Sequence, residues 1–244
     1  MARLNNKQIK IRKVNIMNIK SKLICISTTA ILTFTLIGYS FAASSFTDIS
    51  NEAHKEKIIV LHEKGYINGL GKGLFSPKGI ITAAEGIQMI VNVLDLNIDN
   101  VRFIKEPKAT DYFPKAKNDA WYSNALIIAA VKGLNIPADT DPKKVWTREE
   151  FTYYLITAME ANRNMPMIKI IPANITDGDK ITPEYEGAIQ RALVYGIDKL
   201  DERGKFNPKA KMTRAEAAAQ IYNVLEYFKA HPIQAEDESI KLDQ

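Results

Sequence analysis

Apolar and polar positions along the chain cycle three times through one pattern. Near the end of the chain, Ala218, Ile221, Leu225 and Phe228 recur at spacings of three and four, one stripe of an α-helix. Just before them stands Thr213, with Glu216 three places later. A threonine hydroxyl in this setting accepts a bond from a free N–H of the first turn, and the glutamate reaches back to the threonine N–H. The pair predicts a capped helix. The same start recurs as Thr82/Glu85 and Thr147/Glu150, so three such helices are expected. Upstream of each lies a second apolar-periodic stretch, about residues 51–64, 119–132 and 183–195, ending at Gly65, Gly133 or Gly196. Glycine suits the residue after a helix end, and Pro183 after Thr182 suits a first turn.

The glycines align whole copies of one unit. GYINGLGKGLFSPKGIITAAE (Gly65–Glu85) and GIDKLDERGKFNPKAKMTRAE (Gly196–Glu216) coincide without a gap at Gly65/Gly196, Gly73/Gly204, Phe75/Phe206, Pro77/Pro208, Thr82/Thr213 and Glu85/Glu216. The middle copy, GLNIPADTDPKKVWTREE, has a shorter loop and regains register at Pro142, Thr147 and Glu150. Each copy opens on a short acidic stretch containing Asp48, Asp111 or Asp177. The organisation is therefore all-α, with three tandem helix-loop-helix repeats at about 44–95, 109–162 and 175–228. The linkers hold short apolar stretches, Val101–Ile104 and Met167–Ile171, suited to an extended path, and residues 229–244 form a polar tail. A single helical hairpin cannot bury its stripe; three together can. The expected result is a pseudo-threefold helical bundle with equivalent grooves where neighbours meet.

Charge changes the picture at one end only. The 244-residue chain carries 33 basic and 28 acidic residues. Residues 1–42 hold seven of the basic ones and no acidic one, so the remainder has 26 against 28, a net of −2, and nucleic acid is not an expected partner. The basic start leads into the uncharged apolar run Leu23–Tyr39 and then Ser40-Phe41-Ala42. This reads as a signal peptide over residues 1–42, cut after Ala42, with Met1 or Met17 as the start. A membrane anchor is the rival reading, but the run is short of the roughly 20 residues a span needs, so no stable span is expected after processing. Cys25, the only cysteine, lies within this run and leaves the rest free of thiol chemistry.

The pattern F-x-D, a helix ending in glycine, G-x-F-x-P, then TRAE at Thr213–Glu216 opening a second helix resembles the S-layer homology domain. The resemblance covers about residues 44–228. It implies a three-pronged helical bundle secreted to the cell surface, and a non-catalytic module that anchors to the cell wall. The implied partner is a secondary cell-wall polysaccharide on peptidoglycan, commonly carrying a pyruvylated amino sugar, with no cofactor. The chain departs from the family pattern in two ways. The first copy has Ala83 where the arginine belongs, and the family's first-helix tryptophan is present only as Trp121 in the second copy. Two working grooves at most are therefore expected, with the first copy as scaffold.

Arg148 and Arg214 sit in first helical turns, where the macrodipole disfavours a cation by a few tenths of a kcal/mol. The first copy keeps both capping residues without an arginine, so cap and arginine are separable. A helix N-terminus with free N–H groups and an adjacent guanidinium fork suits a carboxylate. The expectation is that Arg148 and Arg214 hold the pyruvyl carboxylate, with Trp121 or nearby aromatics packing on the sugar ring and Asp111 or Asp177 accepting hydroxyl bonds. On the residues alone, the arginines equally suit a solvated surface, the aspartates a helix cap or turn, and Trp121 the core. Gly69-x-Gly71-x-Gly73 lacks the context of a dinucleotide site, and His54, His62 and His231 are too few for a metal cluster. The remaining rivals are a wall-glycan hydrolase and a helical scaffold for another secreted protein.

Overall fold

The computed structural model describes residues 46–163, 165 and 171–232. The expected signal peptide with Cys25 and both candidate starts, residues 167–170 of the second apolar stretch, and residues 233–244 of the tail lie outside the described residues. The described part is helical: α1 (Lys55–Glu63), α2 (Ala83–Val93), α3 (Ala109–Tyr112), α4 (Ser123–Val131), α5 (Arg148–Asn162), α6 (Pro183–Val194) and α7 (Arg214–Ala230). Among the described residues extended pairing is limited to three isolated bridges. Val101–Ile104 follows an irregular path and is exposed. Two helices start later than the apolar period suggests. Before α1 and α4 the chain runs through successive turns, with Lys55 N–H bonded to Glu52 O and Ser123 N–H to Ala120 O, three residues back rather than four.

The local signals are realised at both kinds of helix end. Thr82, Thr147 and Thr213 each accept a bond from the N–H of their glutamate, and Glu85, Glu150 and Glu216 each bond back to the threonine N–H. Gly65, Gly133 and Gly196 all take φ near +70°. At each, the glycine N–H reaches three carbonyls back and the next residue's N–H five back, as Gly65 to His62 and Tyr66 to Leu61, which closes the helix.

The two helices of a copy do not form a hairpin with each other. Instead α4 packs on α2, α6 on α5, and α1 on α7. The first helix of each copy thus docks on the second helix of the copy before it, and α1 on α7 closes the cycle. The reason lies in the loop: 19 residues separate α1 from α2, and its last part, Pro77 O, Gly79 O and both backbone groups of Ile81, is bonded to neighbouring copies.

Those bonds form a ring. Ile81 N–H bonds Met212 O, Met212 N–H bonds Trp146 O, and Trp146 N–H bonds Ile81 O, at 2.9, 3.0 and 3.2 Å. All three side chains are buried. Two residues on, the first helical N–H groups point to the other neighbour of each copy: Ala83 to Lys144 O, Arg148 to Ala210 O, and Arg214 to Gly79 O, each at 2.8 Å. The second N–H groups follow, Ala84 to Pro142 O, Glu149 to Pro208 O, and Ala215 to Pro77 O. With the third taken by the threonine cap, the mouths of α2, α5 and α7 have no free donors to offer an anion. That removes the helix N-terminus from the expected binding site, because tertiary structure has consumed it.

The acidic openings tie the loops down. Asp48 accepts from Phe75 N–H and Ser76 N–H at 2.9 and 2.7 Å, and Asp177 accepts from Phe206 N–H and Asn207 N–H at 2.8 and 3.0 Å. Asp177 is buried. Asp177→Ala would strand two backbone donors and is expected to cost about 3 kcal/mol, read as a fall in the urea midpoint at unchanged slope. Asp48 is more exposed. Burial raises its carboxyl pKa, but the two backbone bonds and the Arg214 charge outweigh this and hold it below the ordinary value. Its contribution is therefore present at neutral pH and lost as pH falls through the depressed value.

Candidate functional site

The arginine of one copy serves the loop of the next. Arg214, from the third copy, crosses to the first. Its Nε donates to Phe75 O at 2.9 Å, one terminal nitrogen to Glu85 at 3.0 Å, and the other to Asn68 O at 2.9 Å. The guanidinium lies 4.8 Å over the Phe75 ring, and the residue is only 8% exposed. Burial pushes its pKa down while Glu85 opposes the shift. Three of five N–H donors are thus committed, leaving two. Arg214 borders a cavity of about 550 Å³ walled by Tyr66, Asn68, Phe75, Gln88 and Met89, with Trp121 of the second copy also lining it. The first copy, expected as scaffold, supplies most of these walls.

Trp121 is 64% exposed and stands edge-on to Tyr122 at 5.4 Å. It is not a core residue; that role belongs to Trp146, buried and stacked on Tyr154 at 5.0 Å. The two aspartates expected to meet sugar hydroxyls do not border this cavity. Asp177 has both oxygens on its own loop, and Asp111 accepts from Lys108 N–H at the start of α3.

Arg148, from the second copy, reaches the third in the same way. Its guanidinium lies 5.2 Å over Phe206, bonds Lys199 O at 3.2 Å and approaches Glu216 at 3.8 Å. It differs in one respect: Asp198 takes its Nε and a terminal nitrogen in a two-point pair at 3.0 and 2.5 Å. The matching position in the first copy is Ile67. Burial pushes the Asp198 carboxyl up, against the pull of Arg148.

The third junction has no arginine, because the first copy offers Ala83. The capping glutamate there, Glu150, is instead bonded from within its own copy by Lys144 at 2.5 Å, and this bond raises the lysine pKa. A cavity of about 470 Å³ there is lined by Lys115, Lys143, Lys144, Tyr154 and Tyr185. Glu149 is buried between copies, accepting from Thr182 N–H and Oγ and from Lys209. Nothing in its local sequence marks it; the cap spacing assigns a role to Glu150 alone, and that of Glu149 emerges only with the neighbouring copy in place.

Helix-loop-helix units cross-braced by arginines, with polar recesses at their junctions, define a repeat protein of the binding or anchoring kind. The chain carries S-layer homology domains, whose sequence model matches residues 45–85 and 174–218. The middle copy, with its shorter loop and TREE start, falls between the two matched regions. The chain is 32% identical over 185 residues to the exoglucanase XynX of Acetivibrio thermocellus, an alignment covering 75% of this chain and 16% of that one. It is 30% identical over 185 residues to an amylopullulanase of Thermoanaerobacterium thermosulfurigenes, covering 75% and 10%. To the surface-layer 125 kDa protein of Lysinibacillus sphaericus it is 27% identical over 214 residues, covering 84% and 17%. The chain spans under a fifth of the length of these relatives. The S-layer homology domain anchors surface proteins to the cell wall, and this places the chain among secreted cell-surface proteins. Among the described residues no helix is long and apolar enough to cross a membrane.

Proposed function

We propose that this chain holds a protein on the cell wall by binding a pyruvylated secondary cell-wall polysaccharide attached to peptidoglycan, without catalysis, and that the cavity at Arg214 is the seat. The observation that carries this reading is the pairing, in one recess, of a buried guanidinium with two uncommitted donors and an exposed tryptophan face. A pyruvyl ketal presents a carboxylate on a sugar; the guanidinium pairs with the carboxylate and the indole covers the apolar face of the ring. The volume lies in the range of small-ligand sites, so one or two sugar units fit rather than a length of polymer.

Co-sedimentation with purified wall sacculi, before and after chemical removal of pyruvate, tests the reading. Retention that disappears with the pyruvate supports it. Retention that survives removal of the polymer points to a protein partner, and release of soluble fragments points to a hydrolase; either result overturns it. Trp121→Ala is expected to weaken binding about 5- to 10-fold while leaving the melting temperature within about 1 °C of the parent, because the ring is largely exposed.

A further inference from the structure

We infer that Asp198 occupies the seat of a ligand carboxylate on Arg148, so that the junction of the second and third copies is a closed twin of the Arg214 recess and a latent second site. The inference rests on the reading of the Arg214 recess given above.

The two junctions share three contacts. Each arginine lies over the phenylalanine of the G-x-F-x-P loop, each bonds the carbonyl three residues past the aligned glycine, and each faces the capping glutamate of the receiving copy. Each loop is tied by its own aspartate, Asp48 or Asp177, so these acids do not distinguish the two. What differs is one connected set of side chains. Asp198 stands where the first copy has Ile67, and Gln220 where it has Met89; Thr152, from the second copy, stands where the third has Ala218.

The polar set forms a closed network. Gln220 donates to Asp198 at 2.7 Å and to Thr152 at 3.0 Å, and Lys199 N–H donates to Asp198 at 2.7 Å. Asp198 is thereby aimed at the guanidinium in the two-point geometry that a bound carboxylate takes. It has also displaced an internal bond. Arg214 gives its Nε to Phe75 O, whereas Arg148 gives its Nε to Asp198. A further anion arriving at Arg148 would meet the carboxylates of both Asp198 and Glu216. At Arg214 it meets the capping glutamate, but the position of Asp198 is held by the hydrocarbon of Ile67.

The network indicates the variant that opens the site. Removing Asp198 alone takes one acceptor from Gln220 Nε2 and leaves the Gln220–Thr152 pair beside the vacated position, so the informative change transplants the whole apolar set: Asp198→Ile, Gln220→Met and Thr152→Ala together, with Asp198→Asn as the milder companion. Calorimetric titration with a methyl glycoside of an N-acetylated amino sugar bearing a pyruvyl ketal reads the stoichiometry. The expected values are one site in the parent, unchanged by Arg148→Ala, and two in the triple variant, returning to one when Arg148→Ala is added. One site in a triple variant with parental circular dichroism, or loss of parental binding on Arg148→Ala, overturns the inference. Labelling by an arginine-selective dicarbonyl, read by mass spectrometry, judges it independently of any glycan. Arg148 should resist the reagent in the parent and gain at least fivefold reactivity in Asp198→Asn and the triple variant. Equal reactivity in all three overturns it. Absence of glycoside binding in the parent, with this labelling gain intact, sinks the Arg214 reading alone.

Discussion

Arg214→Ala is expected to abolish retention on wall sacculi and to lower stability by about 3 kcal/mol. The stability loss follows from what the side chain leaves behind. Glu85 is a partly buried partner, and Phe75 O and Asn68 O lose their donor. Breaking one side of a buried pair costs about 3–5 kcal/mol, and the partial exposure of Glu85 puts this case at the lower end. For a body of this size the melting temperature should fall by roughly 6–12 °C. A binding defect in a weakened protein proves little by itself, so the comparison is with Asp177→Ala. That substitution has a similar expected cost but acts on the far loop. If Asp177→Ala still co-sediments at a temperature where both variants are folded and Arg214→Ala does not, the lost retention belongs to the guanidinium. If both lose retention equally, Arg214 is a brace and no more. Arg214→Lys should recover part of the stability and little of the binding, since an ammonium keeps the charge without the planar fork.

The arginine also shows where local reading stops. The capping boxes at Thr82, Thr147 and Thr213 and the left-handed glycines at Gly65, Gly133 and Gly196 depend on residues three to five apart. Their chemistry is complete within one helix turn, and the sequence displays it. That Arg214 serves something other than its own helix is also legible, because the first copy keeps the cap without it. What it serves is not: Phe75, Asn68 and Trp121 belong to other copies, and only the docking of each first helix on the preceding second helix brings them together. The same docking removes the helix mouths from the candidate site, since Pro77, Pro142 and Pro208 lend their carbonyls to the N–H groups that an isolated helix would leave free. Asp198 had a signal of its own. Aligned on the glycines, Ile67 and Met89 become Asp198 and Gln220, two polar residues at apolar positions in the one other copy that receives an arginine. Reading the copies for paired departures, rather than for shared residues, exposes it.

The other large effect lies at the centre of the ring. Trp146→Ala is expected to cost about 4 kcal/mol, because the side chain is 1% exposed and is among the largest fully buried groups. Its indole stacks on Tyr154, stands 6.4 Å from Phe151, and presses against α2 where that helix has Gly86. A Cβ added at Gly86 would come within 2.4 Å of two indole carbons. The matching positions in the other copies are Phe151 and Ala217, so the glycine is a concession to Trp146 and not a demand of the helix. This gives a prediction with a change of sign. In the parent, Gly86→Ala forces the indole aside and should destabilise by about 1–3 kcal/mol despite the better helix propensity of alanine. In the Trp146→Ala background the indole is gone and only Phe151 Cδ2 remains close, at 3.3 Å, so the same substitution should stabilise by up to about 1 kcal/mol, the ordinary gain of alanine over glycine in a helix. Urea unfolding of the four proteins yields the coupling, expected at about 2–4 kcal/mol. Additive single effects would show that α2 does not lean on the indole, and that the ring around Ile81, Trp146 and Met212 is not packed in the way that sets the three arginine and lysine junctions in place.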